Sequence, residues 1–452
     1  MPGKPKQRSG RAERQPSNRG TRPLLVLTVG LTPPDAYWLR RIERPQRFRF
    51  QSIGDFDQAD NPELCRPREF VAAAVRDVRR RGEKAAGIVA FDDYPATLLA
   101  LAIAEKLALP GPSLAAAVLC SHKAWSRLLQ RESVPAAVPR FQVIDPGRRY
   151  GPGDLELAFP FWLKPVKSSM SYLGFRIGSF TDFERALAAA RAELPRYTGA
   201  FRELMDMASP AVPEGAAPIG ADWLIAEALM SGRQCTLDGM MLGGRLTVIG
   251  VVDSIRLRNR VSFTRFDYPS GLPRATQAAM AGIAERALSR IGLDNGMFNV
   301  EFFFDSRSGR PMIIEINPRF SPQFSDLFQK VDGTLSHQYV VELATGQPPS
   351  LTCRAGRHRI AASCVLRTAE DRMVRRAPGR QDLARLAATL PDAHVYRLAK
   401  TGDRLSALAQ DSYTYRYGLI HLGARSKADL RTNLRKAKRL LRYELVPVKS
   451  RR

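Results

Sequence analysis

The residues with the clearest chemical potential lie in one stretch, residues 298–320, with the sequence FNVEFFFDSRSGRPMIIEINPRF. Apolar and polar residues alternate on both sides of a turn rich in serine, arginine and glycine, which predicts a β-hairpin. Because successive strand residues point to opposite faces, Glu301 shares a face with Asn299, and Glu315 shares a face with Asn317. Two carboxylates and an amide at cross-strand distance suit Mg²⁺, which prefers few protein carboxylates together with phosphate oxygens. The alternative is a surface hairpin whose acids lie in water.

The register of this hairpin decides whether the two acids meet. A loop of odd length, such as residues 306–310, sets Glu301 directly across from Glu315, whereas a slip of one residue sends one of them into the core. The other face of each strand is apolar and predicts a buried surface. Its members are Phe298, Val300, Phe302 and Phe304 on the first strand and Met312, Ile314 and Ile316 on the second.

Two lysines upstream can supply positive charge to such a site. Lys123 lies in a helix predicted over residues 113–132, where a solvated lysine is the ordinary alternative. Lys164 closes the apolar strand in FPFWLKP, and a lysine there needs an anionic partner, such as a nucleotide phosphate, because an unpaired buried ammonium is costly. The loop that follows can cover phosphates with its N–H and hydroxyl groups, or it can be an ordinary hairpin turn. Its small residues are Ser168, Ser169, Ser171 and Gly174.

The rest of the chain must position these residues, and its 452 residues predict about two or three domains. Residues 1–22 contain almost nothing that can be buried and are expected to be disordered. Strands and helices then alternate, which predicts a parallel sheet covered on both faces. The predicted elements are strands over 24–29 and 87–91 and helices around 69–81 and 95–107. No glycine fingerprint follows the first strand, so no dinucleotide site is predicted.

Two later segments complete the predicted organisation. Residues 195–221 are rich in proline, alanine and glycine, which indicates a mobile insertion. Residues 351–452 read as a third unit that ends in strand, turn, helix and strand, with Ser426 and Asp429 forming a capping box at the start of the helix. The basic face of that helix is expected to be solvated.

Composition restricts the function classes. The five cysteines are scattered and never form a C-x-x-C pair, and no apolar run approaches the roughly 20 residues that cross a bilayer. Both observations favour a cytoplasmic protein that does not contact a membrane. The net charge of +26 is compatible with polyanion binding, but no aromatic RNA-binding signature accompanies it, which argues against nucleic acid. An acidic or phosphorylated substrate and a solvated surface remain alternatives.

The order of these features resembles the ATP-grasp superfamily, and the closest type is the carboxylate–amine ligases, which include amino-acid ligases and relatives of biotin carboxylase. The resemblance runs over residues 24–350 and rests most on GLDNGMFNVEF and IEINPRF. It implies an α/β protein with an ATP-grasp fold. The implied domains are a pre-ATP-grasp α/β domain over 23–118, an ATP-grasp domain over 119–350 and a C-terminal α+β domain over 351–452.

The resemblance also implies the residues that bind ATP. Lys123 and Lys164 would contact its phosphates, with Ser169 in the loop that covers them. Glu227 and the next two residues, Ala228 and Leu229, would form the hinge against adenine, with Glu227 accepting a hydrogen bond from the adenine amino group. An ordinary strand-end charge in water is the alternative for Glu227.

Metal binding and catalysis are implied in the same way. Glu301, Glu315 and Asn317 would hold Mg²⁺, for which Mn²⁺ could substitute, and Arg319 would stabilise the developing acyl-phosphate. Two features depart from the family pattern. Gln234 stands where relatives usually have a ribose-binding acid, and the phosphate loop has one glycine where relatives often have several.

The function implied is an ATP- and Mg²⁺-dependent ligase that activates a carboxylate as an acyl-phosphate and joins it to an amine. Its partners would be small-molecule carboxylate and amine substrates, and a homodimer is left open. The alternatives are a non-catalytic ATP-binding module, a polyanion-binding protein that retains the fold, and an enzyme that uses bicarbonate as its carboxylate.

Overall fold

The structure is a computed structural model that describes residues 22–168, 172–259, 261–408, 410 and 413–448. The expected disorder of residues 1–22 therefore concerns residues outside the described ones, apart from Arg22. The strands are β1 (Leu24–Val29), β2 (Phe48–Ser52), β3 (Gly87–Ala90), β4 (Phe141–Ile144), β5 (Phe161–Pro165), β6 (Phe175–Ile177), β7 (Leu224–Ala228), β8 (Arg233–Leu242), β9 (Arg245–Arg256), β10 (Phe263–Tyr268), β11 (Gly296–Asp305), β12 (Arg310–Asn317), β13 (Ile360–Thr368), β14 (Arg372–Arg376), β15 (His394–Arg397), β16 (Tyr415–Ala424) and β17 (Glu444–Pro447). The helices are α1 (Pro33–Leu39), α2 (Phe56–Asp60), α3 (Pro67–Arg81), α4 (Ala96–Leu107), α5 (Leu114–Ser121), α6 (Lys123–Ser133), α7 (Phe180–Ala208), α8 (Arg274–Ile291), α9 (Pro322–Asp332), α10 (Ser336–Ala344), α11 (Arg380–Thr389) and α12 (Lys427–Leu441).

The first unit is a three-stranded parallel sheet in the order β2–β1–β3. α4 packs against β1 and β3, and α3 packs against α4. The predicted strands and helices of this unit are present, with ends that differ by at most two residues. β2 was not predicted, because it lies at the edge of the sheet and most of its residues are partly or fully exposed.

A four-stranded antiparallel sheet in the order β4–β7–β5–β6 carries Lys164 and Glu227. Trp162 lies opposite Glu227, so Lys164, two residues further along β5, is on the same face as Glu227. Phe161 and Leu163 point to the other face and are buried in a core shared with α7. The alternation along β5 therefore directs the lysine away from the apolar core.

The largest sheet has eight strands in the order β12–β11–β8–β9–β10–β13–β16–β15. β13, β15 and β16 come after residue 350, so this sheet runs across the boundary predicted there. The division into domains therefore stays a prediction. At the end of the chain, β16, α12 and β17 follow one another as predicted, and the Ser426 hydroxyl accepts a hydrogen bond from the Asp429 N–H at the start of α12 (3.1 Å).

The predicted hairpin is present as β11 and β12, and Glu301 is paired with Glu315. The turn nevertheless pairs Asp305 with Arg310, so β12 needs one extra residue, a β-bulge, to bring the acids into register. Ile314 is that extra residue. Because of the bulge, Ile313 is 0% exposed, whereas Met312 and Ile314 are only partly buried. The prediction that Met312 and Ile314 belong to the buried face was wrong.

The helix predicted over residues 113–132 is two helices, α5 and α6, which meet at His122. The backbone of His122 is extended, and its Nδ1 accepts a hydrogen bond from the Trp125 N–H (3.2 Å). This side-chain cap supplies one of the acceptors that a helix N-terminus lacks. Lys123 therefore stands in the first turn of α6 and not in the middle of a long helix.

The predicted mobile insertion is partly helical. α7 continues through Pro195 and ends at Ala208, so the prediction was wrong for residues 195–208. Buried residues at helical spacing, among them Leu194, Thr198 and Phe201, explain why the helix persists despite the proline. Among the residues that the structure describes, no helix is long and apolar enough to span a bilayer.

The bulge leads to a stability prediction. Ile313→Ala should lower the free energy of unfolding by about 2–4 kcal/mol, because it leaves a cavity in a closed core. Met312→Ala should cost clearly less, because Met312 is only partly buried. Urea unfolding of both variants tests this, and an equal or larger loss for Met312→Ala would place the bulge elsewhere.

Candidate active site

The centre of the site is the pair of facing acids on β11 and β12. Glu301 and Glu315 lie opposite each other, and Lys123 Nζ is 3.6 Å from Glu315 Oε2. Burial and the facing charge of Glu315 raise the pKa of Glu301 to about 7. Burial also opposes the ionisation of Glu315, but Lys123 and Lys164 outweigh it and lower the pKa of Glu315. One acid therefore has cationic neighbours that favour its charge, whereas the other would gain from an added cation.

Asn317 extends this pair to a set of oxygen donors. It lies opposite Asn299 on the same strand pair, on the face that carries both acids. Its Nδ2 donates to Asn299 Oδ1 (3.2 Å). Within the described part of the chain, no cluster of three His, Cys, Asp or Glu side chains could hold a metal. Two carboxylates and an amide suit a Mg²⁺ ion that takes its remaining oxygens from phosphates and water.

Gln234 lies beside the acid pair. Its Nε2 donates to Glu301 Oε2 (2.9 Å), and this is the polar contact that the structure gives it. The structure thus brings Gln234 to the acids, and its expected contact with a ribose stays a prediction.

Lys123 connects α6 to the loop that follows β5. Its Nζ donates to the carbonyl of Ser168 (2.9 Å), and its backbone N–H donates to the carbonyl of Val166 (2.8 Å). The first residues of the candidate phosphate loop are therefore fixed to the first turn of α6. Ser169, the residue expected to cover phosphates, lies outside the described residues.

Glu227 is held by two cations. Its carboxylate oxygens lie 2.6 Å from Arg127 Nε and 2.8 Å from Lys164 Nζ, and the Glu227 and Arg127 side chains are each 2% exposed. Burial opposes its ionisation, but Arg127 and Lys164 outweigh it and lower the pKa of Glu227 to about 2. Each oxygen thus already has one cationic partner, and a carboxylate oxygen can accept a second hydrogen bond. The expected hydrogen bond from the adenine amino group to Glu227 stays a prediction.

Arg319 belongs to a second ion-pair group. Its Nη2 is 3.2 Å from Asp93 Oδ2, and Lys167 Nζ is 3.7 Å from Asp93 Oδ1. Burial opposes the ionisation of Asp93, but Lys167 and Arg319 outweigh it and hold its pKa well below the usual range. Asp93 follows β3, so the first unit supplies an acid to the residues around Arg319.

These groups surround a cleft of about 1050 Å³ between the four-stranded and the eight-stranded sheets. Eight of the predicted site residues line it: Lys123, Lys164, Glu227, Ala228, Leu229, Gln234, Glu301 and Glu315. Leu229 is 44% exposed and lies with Trp162 and Ile314 among the apolar residues of the wall, which suits a planar base. Asn317 and Arg319 are not among the residues that line the cleft.

Comparisons with known proteins agree with this architecture. No protein-family model matches the chain. Human carnosine synthase 1 is 27% identical over 331 residues, which cover 71% of this chain and 38% of the human protein, so the chain spans well under half of that relative. A crystal structure of an L-amino acid ligase from Bacillus licheniformis is similar with a TM-score of 0.67 and 15% identity, covering 95% of this chain and 100% of the ligase. A biotin carboxylase from Campylobacter jejuni, in a β,γ-ATP complex, is similar with a TM-score of 0.62 and 16% identity, covering 93% of this chain and 92% of that one.

The chain has the ATP-grasp fold. The predicted fold class is thereby confirmed. At these identities the likeness to solved structures shows the fold and not the activity.

Three residues of the candidate site were missed by sequence reasoning. Arg127 follows Lys123 by four residues and so shares a helix face with it, which was a usable signal. Lys167 follows Lys164 by three residues in LKPVKSS and could have been noticed as a second basic residue before the loop. Asp93 gave no local signal, because its partners are 74 and 226 residues away in sequence.

The ion-pair group at Glu227 predicts a large loss of stability on substitution. Glu227→Gln should lower the free energy of unfolding by about 3–5 kcal/mol at pH 7, because Arg127 and Lys164 would remain buried without their anion. The pKa of Glu227 is lower in the folded state, so its stabilisation is present above pH 4.5 and lost as the pH falls toward 2. Part of the acid sensitivity of the protein should therefore disappear in the variant.

Urea unfolding at pH 7 and at pH 3 measures both effects. The matched control is Glu132→Gln on α6, whose ion pair with Arg290 is exposed and should be worth less than about 1 kcal/mol. Similar losses for the two variants would contradict the importance of the buried group.

The raised pKa of Glu301 predicts the opposite pH dependence in metal-free protein. The folded state holds the Glu301 proton more tightly than the unfolded state, so this group makes the free energy of unfolding fall as the pH rises from 4.5 through about 7. Glu301→Gln should remove that slope and raise the melting temperature at pH 8.

Thermal unfolding between pH 5 and pH 8 in excess EDTA tests this. The difference between the variant and the unmodified protein should grow with pH. If Glu301→Gln instead melts earlier at every pH, the carboxylate stabilises the fold and is not a strained acid awaiting a cation.

Proposed function

We propose that this protein is an ATP- and Mg²⁺-dependent ligase that activates a carboxylate as an acyl-phosphate and joins it to an amine. The observation that carries the proposal is the direct opposition of Glu301 and Glu315 in a cleft that also contains Lys123, 3.6 Å from Glu315. Two facing carboxylates with cations beside them can bind a metal–phosphate complex. Their mutual repulsion would be hard to explain in a purely structural hairpin.

The nucleotide would lie between the two sheets. The strand end at Ala228 and Leu229 would contact the base, and Lys123 and Lys164 would contact the phosphates. Lys164 has three N–H donors and uses one on Glu227, so the others can reach a phosphate oxygen. Lys123 would contact the phosphates from the first turn of α6.

Glu301, Glu315 and Asn317 would hold Mg²⁺, which would supply positive charge to offset that of the phosphates during phosphoryl transfer. The side chains of the cleft would lower the remaining electrostatic barrier. The substrate carboxylate has to approach an anionic γ-phosphate, and Lys123 and Lys164 reduce the repulsion between them. A carboxylate oxygen–phosphorus bond forms as the bond to ADP breaks. The amine nitrogen then forms a C–N bond with the acyl carbon as phosphate leaves, and the nitrogen releases protons.

Arg319 would stabilise the acyl-phosphate, whose negative charge develops near the acid pair. Asp93 and the carbonyl of Phe320 hold its guanidinium through hydrogen bonds of 3.2 and 3.3 Å. The acyl-phosphate is hydrolytically fragile, so the cleft has to exclude water until the amine arrives. The walls formed by the two sheets suit that requirement.

Amino acids are the first substrates to test, because the relatives include a carnosine synthase and an L-amino acid ligase. Bicarbonate is the second candidate carboxylate, because a biotin carboxylase shares the fold. The described cysteines are all free, which supports the proposed cytoplasmic location. A homodimer stays a prediction that light scattering can test.

The decisive experiment is a screen for release of ADP and phosphate with Mg²⁺-ATP against pairs of amino acids, amines and bicarbonate. We expect release that requires both a carboxylate and an acceptor. Tight binding of ATP without ADP release across the whole panel would favour a non-catalytic nucleotide-binding protein.

The acid pair provides the matching variant. Glu315→Gln should reduce turnover by about 100-fold or more, the size of loss seen when one preorganised electrostatic contact is removed, and should leave the fold intact. Turnover is compared at equal amounts of folded protein, checked by circular dichroism. A variant that unfolds while activity per folded molecule is unchanged would make Glu315 a structural residue.

A further inference from the structure

We propose that Asp238 and Asn299 are positioning residues that fix the direction of the Asn317 amide, so that its oxygen is available to the metal of a bound Mg²⁺–nucleotide. The inference rests on the proposed function and assigns roles to two buried residues behind the acid pair.

The three side chains form one row across three strands. Asn299 on β11 lies opposite Asp238 on β8 and opposite Asn317 on β12. Directly opposed residues project on the same face of a sheet and contact each other. The row is largely buried and Asn317 is its most exposed member, since Asp238 is 0%, Asn299 is 2% and Asn317 is 8% exposed.

In this row of side chains, the amide donors point toward Asp238. Asn299 Nδ2 donates to Asp238 Oδ1 and to Ser321 Oγ (2.6 Å), while the Ser321 N–H donates to Asp238 Oδ2 (3.3 Å). Both Asp238 oxygens accept hydrogen bonds in the structure, so the amide NH₂ of Asn299 faces Asp238. Its oxygen is thereby turned toward β12.

The orientation of the Asn299 amide determines the orientation of the Asn317 amide. Asn299 Oδ1 accepts from Asn317 Nδ2 (3.2 Å), so the NH₂ group of Asn317 is used on the protein side. Within the described residues, no donor contacts Asn317 Oδ1, which leaves that oxygen for an external ligand. A reversed Asn317 would set two amide oxygens against each other and would present N–H groups, which cannot bind a cation, to the metal.

A purely structural role predicts something different. A buried polar row stabilises a sheet when all its groups are satisfied, and loosening it would reduce stability without a specific effect on metal binding. In this row the unused oxygen belongs to Asn317, which is two residues from Glu315 on the same face of β12. The experiment therefore has to test how the side-chain amides are oriented, and not only how they pack.

Asp238→Asn separates the two explanations. It keeps the shape and removes a buried charge, so the variant is expected to fold. Its new NH₂ group can donate to Asn299 Oδ1, which allows Asn299 and then Asn317 to reverse. Asn299→Ala removes the connection outright. The matched control is Val252→Ala, which truncates a fully buried residue on β9 that belongs to a different core cluster.

The measurement is binding of Mn²⁺ in the presence of a non-hydrolysable ATP analogue, followed by electron paramagnetic resonance at pH 8. Both variants of the row should bind Mn²⁺ about 10–100-fold more weakly, the usual effect of losing a residue that orients a metal ligand. Binding of the analogue in EDTA should be unchanged. Val252→Ala should lose stability and keep its Mn²⁺ affinity.

The outcomes separate this inference from the function on which it rests. If Asp238→Asn binds Mn²⁺ as well as the control does, the positioning role is overturned and the proposed function is untouched. If the unmodified protein shows no nucleotide-dependent Mn²⁺ binding, the proposed function fails and this inference fails with it.

Discussion

The repulsion between Glu301 and Glu315 is the constraint on which the rest of the site depends. Two carboxylates in direct opposition destabilise a folded protein unless positive charge lies close by, and burial increases the cost. The apolar face of the same hairpin, in which Phe302 and Ile313 are completely buried, holds the strands together despite this repulsion. The hairpin is thus stabilised on one face and strained on the other. A metal–phosphate complex is the ligand that would relieve the strain.

Arg127 connects this hairpin to the rest of the cleft. Its guanidinium donates to Glu227 at the end of β7 and to the carbonyl of Ile314, the residue of the β-bulge (2.6 Å each). A bulge leaves backbone groups without a partner on the neighbouring strand, and here a side chain from α6 supplies one. The same helix carries Lys123. One buried arginine therefore fixes the spacing between β7, the acid pair and Lys123.

The hairpin, which forms from neighbouring residues, was easier to predict from the sequence than the contacts between distant segments. Alternation was enough to predict a hairpin with the two acids on its polar face, but they pair as predicted because a bulge corrects the register. The bulge at Ile314 was not predictable, because it compensates for a turn whose pairing depends on the folded backbone. The partners of the cations were also missed. Asp93 and Glu227 reach them from other elements, and periodicity carries no information about such contacts.

The chain as a whole is strongly positive, but the cations around the acid pair are already paired with acids. Five cations around the acid pair and Glu227 each have an acid within reach. The cations are Lys123, Arg127, Lys164, Lys167 and Arg319, and the acids are Asp93, Glu227, Asp238, Glu301 and Glu315. A phosphate group that contacts these five cations would therefore exchange partners with acids already present. Such an exchange makes affinity depend on the metal, because the acids released from the lysines need a new cation.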